Sequence, residues 1–531
     1  MRTIRILWVV MFGLAGPLLA AEPLARQIPG RPLLCLEVTD LASLVAALRA
    51  SPRMAAWYKT SSYSSFLNTK LAQKLSARLA ELEAVAGAGF NARNFEAIAG
   101  SESALALYDI GRLEILYLSR LPAPKQAAAL LGPIEKTFDR RQESALTYFA
   151  KTGADGTLEL AFAQAGDLLA VSSKVDLLER ALRSTNTTAA AEVLAADPRY
   201  ELACRTEPGP ADLRLFLDQG RLCSDGYFQT YWIHRNVGEL DWIGAAGVTA
   251  RFHAGGVEER RVFIPASEAR TASASAPAEL PLAPLAAALP ASLTCWRLVA
   301  SPTPEDAADA VLADILEAPF PARDAAATLR QDLLAAMASA RPEAMARIVG
   351  PATDGRDPYA VPARAVVLYG PAAASTPLTA FTSPARGWYA AELLGDASHA
   401  GIVMTSAGST TAVTLPFGSG RGLHAARAPG RVVLATHATL AAALTGAAAP
   451  PPAGEKGLSR EMRFVDLPAL RAAFAGIVKN STEPSDDLRR YFSGDWEGLL
   501  SSFADVAVVA DRTWTEGPVV RQVVETRYRP R

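Results

Sequence analysis

The chain is poor in the side chains that most often carry chemistry. Of 531 residues, five are histidine and four are cysteine. No two of His234, His253, His399, His424 and His437 lie three or four residues apart, and none sits in an H-E-x-x-H pattern. Helical zinc signatures are thereby excluded. No CxxC or Cys/His spacing suggests a structural metal. A G-x-S-x-G elbow is absent, and no lysine has a serine three residues before it. Lys151-Thr152-Gly153 therefore lacks the nucleophile pair that would make it catalytic, and reads as a turn between strands. Net charge is −1, which gives no global attraction to nucleic acid or to an anionic membrane. After the first residues, no apolar run is long enough to span a bilayer. No catalytic residue, metal or cofactor is indicated.

Weak motifs have plain explanations. Gly418 to Gly422 (GSGRG) lacks the P-loop spacing and a following apolar helix, so it reads as a hairpin turn. The acidic pairs Glu258-Glu259 and Asp486-Asp487 read as solvated. Glycosidase carboxylates lie far apart in a chain, so a hydrolase with dispersed acid/base residues stays open as an alternative.

What is present begins with a targeting pattern. Arg2 and Arg5 precede an apolar run, Gly16-Pro17 breaks it, and Leu19-Ala20-Ala21-Glu22 resembles a signal-peptidase site. Residues 1–21 are thus expected to be a signal peptide. The alternative is an uncleaved anchor, since Ile4 to Ala21 is near the shortest spanning length. The expected location is periplasmic or otherwise extracytoplasmic.

The rest is too long for one hydrophobic core. Leu33 to Thr39 reads as a strand, and Asp40 caps the helix after it. Leu71, Leu75, Leu79, Leu82 and Val85 share one face of a helix ended by Gly87. Ser103 to Asp109 is continuously apolar, so cover on both faces is expected. Leu158, Leu160 and Phe162 alternate, which predicts a strand with one less-buried side. Gly166 to Leu182 then gives a turn glycine, a buried strand, the cap Ser173 and a helix carrying Leu177, Leu178, Ala181 and Leu182. Thr303-Pro304-Glu305-Asp306 is a further helix start.

The second half echoes the first. Gly430 to Leu444 resembles Gly166 to Leu182, with Leu440 and Leu444 262 residues after Leu178 and Leu182. Ala104 to Tyr108 returns as Ala365 to Tyr369 at 261, Cys35 as Cys295 at 260, and Gly256 and Arg260 as Gly517 and Arg521 at 261. Leu217-Asp218 and Val465-Asp466 match at 248, which requires gaps. A tandem duplication is expected. The expected fold is α+β, with two similar domains, each a mainly antiparallel sheet with helices packed on one face. The boundaries are 31–266 and 291–531, joined by an Ala/Pro/Ser-rich linker at 267–290.

This order of elements resembles the DUF3352 group of exported bacterial proteins. The residues that carry the resemblance are Leu34 to Leu48, Ala104 to Asp109 and Gly166 to Leu182, with their second-half partners. The resemblance implies an exported protein; it implies no activity.

Two features remain as site candidates. Export permits disulfides, and Cys204 with Cys223 would close a loop of about 20 residues, worth about 3 kcal/mol. The alternative is that all four cysteines are buried small apolar residues. Trp57, Tyr58, Tyr63 and Phe66 cluster in sequence, as do Tyr227, Phe228, Tyr231 and Trp232. They are either packing anchors or a binding patch, with Trp57, Tyr58, Tyr227, Tyr231 and Trp232 as ligand-binding candidates. The function expected is a cell-envelope protein that binds or scaffolds without catalysis, using the cleft between its repeats. Its partner would be an envelope protein or ligand and not nucleic acid. The membrane would be touched only through an uncleaved N-terminal segment.

Overall fold

The computed structural model describes residues 23–89, 92–121, 124–143, 146–153, 159–186, 193–205, 210–231, 241–267, 279–316, 324–351, 362–391, 402–415, 421–447, 457–480 and 501–529. Two compact units divide the chain near residue 273, and Glu516–Glu525 belongs with the first. No described helix is long and apolar enough to cross a membrane. The class is α+β.

Among the described residues, the first unit holds β1 Leu34–Val38, β2 Glu102–Asp109, β3 Glu114–Arg120, β4 Asp139–Glu143, β5 Leu146–Thr152, β6 Glu159–Ala165, β7 Leu168–Ser172, β8 Leu213–Leu217, β9 Ile243–His253 and β10 Gly256–Pro265, with most of a later strand, Val519–Tyr528. Strands β1 to β10 pair in the order β10-β9-β8-β1-β2-β3-β7-β6-β5-β4, antiparallel throughout. Most helices lie between β1 and β4 in the chain. Asp40 caps the first of them by accepting from Ser43 N–H, and Thr69 caps Lys70–Ala86, which Gly87 ends in the left-handed region. Leu82 and Val85 of that helix pack with Leu131 on Leu160, Phe162 and Leu169. The opposite sheet face is covered by the helix Val175–Asn186, the N-terminal turn at Leu24 and Ala25, and the segment around Leu194 and Tyr200.

The second unit contains β11 Cys295–Ala300, β12 Ala344–Val349, β13 Arg364–Tyr369, β14 Val403–Ala407, β15 Thr410–Thr414, β16 Arg421–Ala428, β17 Arg431–His437, β18 Glu461–Asp466 and β19 Val506–Glu516. Their order is β19-β18-β11-β12-β13-β17-β16-β15-β14, again antiparallel. From β9 and β19 onward, the two orders correspond strand for strand. The backbone bonds around the central strand correspond too. Asp218 N–H donates to Leu33 and Asp466 N–H to Thr294, while Leu33 N–H donates to Leu107 and Thr294 N–H to Val349. Thr303 and Asp306 form the capping box expected at Pro304–Asp314. The stretch expected as linker ends in structure: Leu282 opens a short helix and is fully buried in the second unit.

These bonds correct several residue matches. Ala104 to Tyr108 lies on β2, whereas Ala365 to Tyr369 lies on β13, the position of β3. Cys295 takes the position of Leu34, one residue from that of Cys35. Short Ala/Val/Leu runs recur on any buried strand, so the sequence match chose the wrong neighbour. The Ser173 hydroxyl, expected as a helix cap, does other work, and Thr436 does the same in the second unit. Ser173 Oγ accepts from Ile115 N–H at 2.8 Å, and Thr436 Oγ1 accepts from Arg364 N–H at 2.9 Å. Each fastens the strand end to the first residues of the neighbouring central strand.

Candidate functional site

Side chains alternate between the faces of a strand, and β1 shows what that does here. Cys35 and Glu37 are buried on one face, while Leu34 and Leu36 on the other are only half-buried. Leu36 stands between Leu105 of β2 and Leu215 of β8, and Leu34 between Leu107 and Leu217. Ile115, Tyr117 and Val248 extend the same face on β3 and β9, and all nine side chains are half-buried. Burying a leucine completely is worth about 1.5–3 kcal/mol. A central strip of a sheet that forgoes part of that gain on six leucines is a partly uncovered apolar surface. Two-sided cover was expected for β2 and a less-buried side for the strand at Leu160 and Phe162. The reverse holds: β6 buries Leu160, Ala161, Phe162 and Ala163 on both faces, and β2 does not.

One end of the strip has a basic and aromatic rim. Lys74 Nζ lies 4.6 Å from the centre of the Tyr227 ring. Tyr227 packs against the β2–β3 turn at Gly111, and Arg78 donates to the Arg112 carbonyl in the same turn. The second unit carries different chemistry on the corresponding face. There Arg297 stands between Arg347 and Arg463, where the first unit has Leu36 between Leu105 and Leu215. Asp314 binds Arg347 through both oxygens, and Glu461 binds Arg297 and Arg463. These pairs offset the repulsion of like charges set directly opposite.

The covered face of the first unit holds a buried polar cluster. Tyr200 OH donates to Glu37 Oε1 at 2.7 Å, and Arg205 Nε donates to the Tyr200 oxygen at 3.2 Å. Arg214 stands opposite Glu37 on β8. Burial pushes the Glu37 carboxyl above its ordinary range, against the lowering effect of Tyr200, Arg205 and Arg214. Burial and the Glu37 charge also push the Tyr200 hydroxyl up. Arg205 ends the π-helical turn Glu201–Arg205. That turn fits because β9 has glycine at 247, where a Cβ would come within 2.3 Å of the Ala203 carbonyl oxygen. Next to it, Arg199 bridges Asp197 at 2.8 Å and the buried Asp218 at 3.0 Å. The second unit has Leu298 and Met462 where the first has Glu37 and Arg214. The topology therefore does not require these charges.

The residues singled out from the sequence fall into separate groups. Trp57 and Tyr58 are half-buried and pack on Tyr63, with ring centres 6.2 Å and 5.1 Å away. Tyr227 forms the rim with Lys74. Tyr231 ends a short helix, and Trp232 and the Tyr231 side chain lie outside the described residues. Cys204 and Cys223 are free thiols, so the disulfide considered above is not formed. Cys204 Sγ instead faces the Leu215 carbonyl oxygen at 3.6 Å, and Cys223 Sγ accepts from Gln219 Nε2 at 3.1 Å. Burial raises the Cys204 thiol to about 12. Neither the leucine strip nor the Glu37 cluster was picked out from the sequence. The available signal was a lone glutamate inside the apolar strand LCLEV.

No family model matches the chain, and no curated protein matches it. Among solved structures, crystal form I of TP0453 is similar at 10% identity and a TM-score of 0.24, over 46% of this chain and 79% of that one. Crystal form IV of TP0453 is similar at 10% identity and a TM-score of 0.23, over 46% and 81%. At these scores the likeness carries no argument.

Proposed function

We propose that the protein is an exported, non-catalytic binding protein of the cell envelope, and that its first unit takes an apolar ligand along the leucine strip. One observation carries the binding role: Leu36, flanked by Leu105 and Leu215, is half-buried in the middle of a sheet whose other face is closed. Export is supported by the sequence of residues 1–21, in which Arg2 and Arg5 precede an apolar run that ends at Leu19-Ala20-Ala21-Glu22. The corresponding strand orders support a tandem duplication, and the same order of elements supports the resemblance to the DUF3352 group of exported proteins. Under this reading the two copies have divided their work. The first kept an apolar face, and the second replaced the same positions with paired arginines.

The test is titration of the purified protein with 1-anilinonaphthalene-8-sulfonate, followed by competition with long-chain apolar ligands. Wild type should bind saturably. Leu36→Asn and Leu105→Asn, each checked by circular dichroism, should weaken binding about tenfold or more, which corresponds to about 1.4 kcal/mol. Equal binding by folded variants would sink the proposal.

A further inference from the structure

We propose that β14 is a dimerisation edge, which pairs antiparallel with β14 of a second copy of this chain about a two-fold axis at Thr405. Among the described residues, the strand pairs with β15 alone and ends its sheet. All five of its residues are exposed, with Val403 at 58% and Met404 at 37%. Its sequence, VMTSA, has no charge and no proline. An edge of this kind offers unpaired N–H and C=O groups to any strand that can approach.

The first unit supplies an internal control. Its corresponding edge, β4, reads DRRQE and among the described residues also pairs on one side only, with β5. Four of those five residues are charged, the usual protection against strand addition. Two edges in the same topological position thus differ in one respect: one is guarded and the other is open.

A second copy is the occupant that the strand itself fits. Antiparallel pairing of identical strands closes under two-fold symmetry and does not propagate. Centred on Thr405, the pairing sets Thr405 against its own copy, Met404 against Ser406 and Val403 against Ala407. No like charges meet, and the Thr–Thr pair is a favourable one. The strand ends at the turn carrying Gly408, which has a positive φ of 57°, so the paired length is set by the strand. A contact this short falls below the roughly 1,200 Å² of a standard stable interface, so the dimer should form and dissociate with concentration.

Sedimentation equilibrium of the purified protein, combined with cysteine cross-linking, tests this. Wild type should show a monomer–dimer equilibrium, and Val403→Lys should shift it to monomer. Thr405→Cys should oxidise to a dimer about tenfold faster than Ala407→Cys, because facing residues in such a pair are within reach of a disulfide and offset ones are not. Wild type that stays monomeric at every concentration, or equal oxidation of the two cysteine variants, would overturn the proposal. Both readouts use folded protein, since the changes lie on an exposed strand.

Discussion

Tyr200 reaches across the covered face of the first unit and donates its hydroxyl hydrogen to Glu37 at 2.7 Å. The bond ties the segment 193–205 to the central strand, 163 residues away in sequence. Tyr200→Phe keeps the ring on Phe216, 5.7 Å away, and removes this bond together with the one the hydroxyl accepts from Arg205. It should cost about 1–3 kcal/mol, because a buried carboxyl loses its donor. Urea denaturation measures the loss.

The same carboxyl predicts a pH dependence. Burial raises the Glu37 pKa in the folded protein above its unfolded value. Its contribution to stability is therefore complete below the ordinary carboxylate range and is lost as pH rises through the folded value. Glu102 adds to the rise, while Arg205 and Arg214 oppose it. Glu37→Gln should flatten the fall in stability above the ordinary carboxylate range. An unchanged pH profile would show that Glu37 does not set it.

Copying the second unit into the first is a stronger test. Glu37→Leu alone strands Tyr200 and Arg214, and should destabilise by about 1–3 kcal/mol. Glu37→Leu with Tyr200→Phe and Arg214→Met should recover wild-type stability or exceed it, since apolar replacement of a buried charged cluster is often neutral or stabilising. The comparison is a thermal or urea melt of each variant.

The two leucine environments should separate in cost. Leu178 is fully buried against Ala163 and Ala170, and Leu178→Ala should cost about 2–5 kcal/mol. Leu36 is half-buried, and Leu36→Ala should cost no more than about 1.5 kcal/mol, for it removes less buried surface. Equal losses in denaturation would mean that the strip is part of the core.

Ser173 and Thr436 allow a matched pair of changes. Ser173→Ala removes the bonds to Ile115 N–H and the Leu113 carbonyl, and Thr436→Val removes those to the backbone of Arg364 and to His437 Nδ1. Each should cost about 1 kcal/mol. Limited proteolysis of the two variants should report which unit has loosened.

Local structure was legible where one residue decides it. Asp40, Gly87 and Thr303 act as their positions suggest, since a cap bonds within four residues of itself. The strand at Leu34–Val38 follows from its apolar run. The site was less legible, because exposure of a sheet face depends on what packs above it. Leu105 and Leu107 read as apolar whether covered or open. The Ser173 hydroxyl had two acceptable uses, as a helix cap or as a bond to β3, and only the distant strand decides between them. Glu37 needed Tyr200 and Arg205, which come from a segment far along the chain.

Gly247 ties the titrating carboxyl to a strand that never touches it. An alanine there would drive its methyl into the Ala203 carbonyl and push the 201–205 turn away from the sheet. Tyr200 immediately precedes that turn, so the displacement would lengthen its bond to Glu37 two strands away. A single methyl group on β9 would thereby be felt as a change of acidity on β1. In this unit, steric room and proton affinity are the same variable.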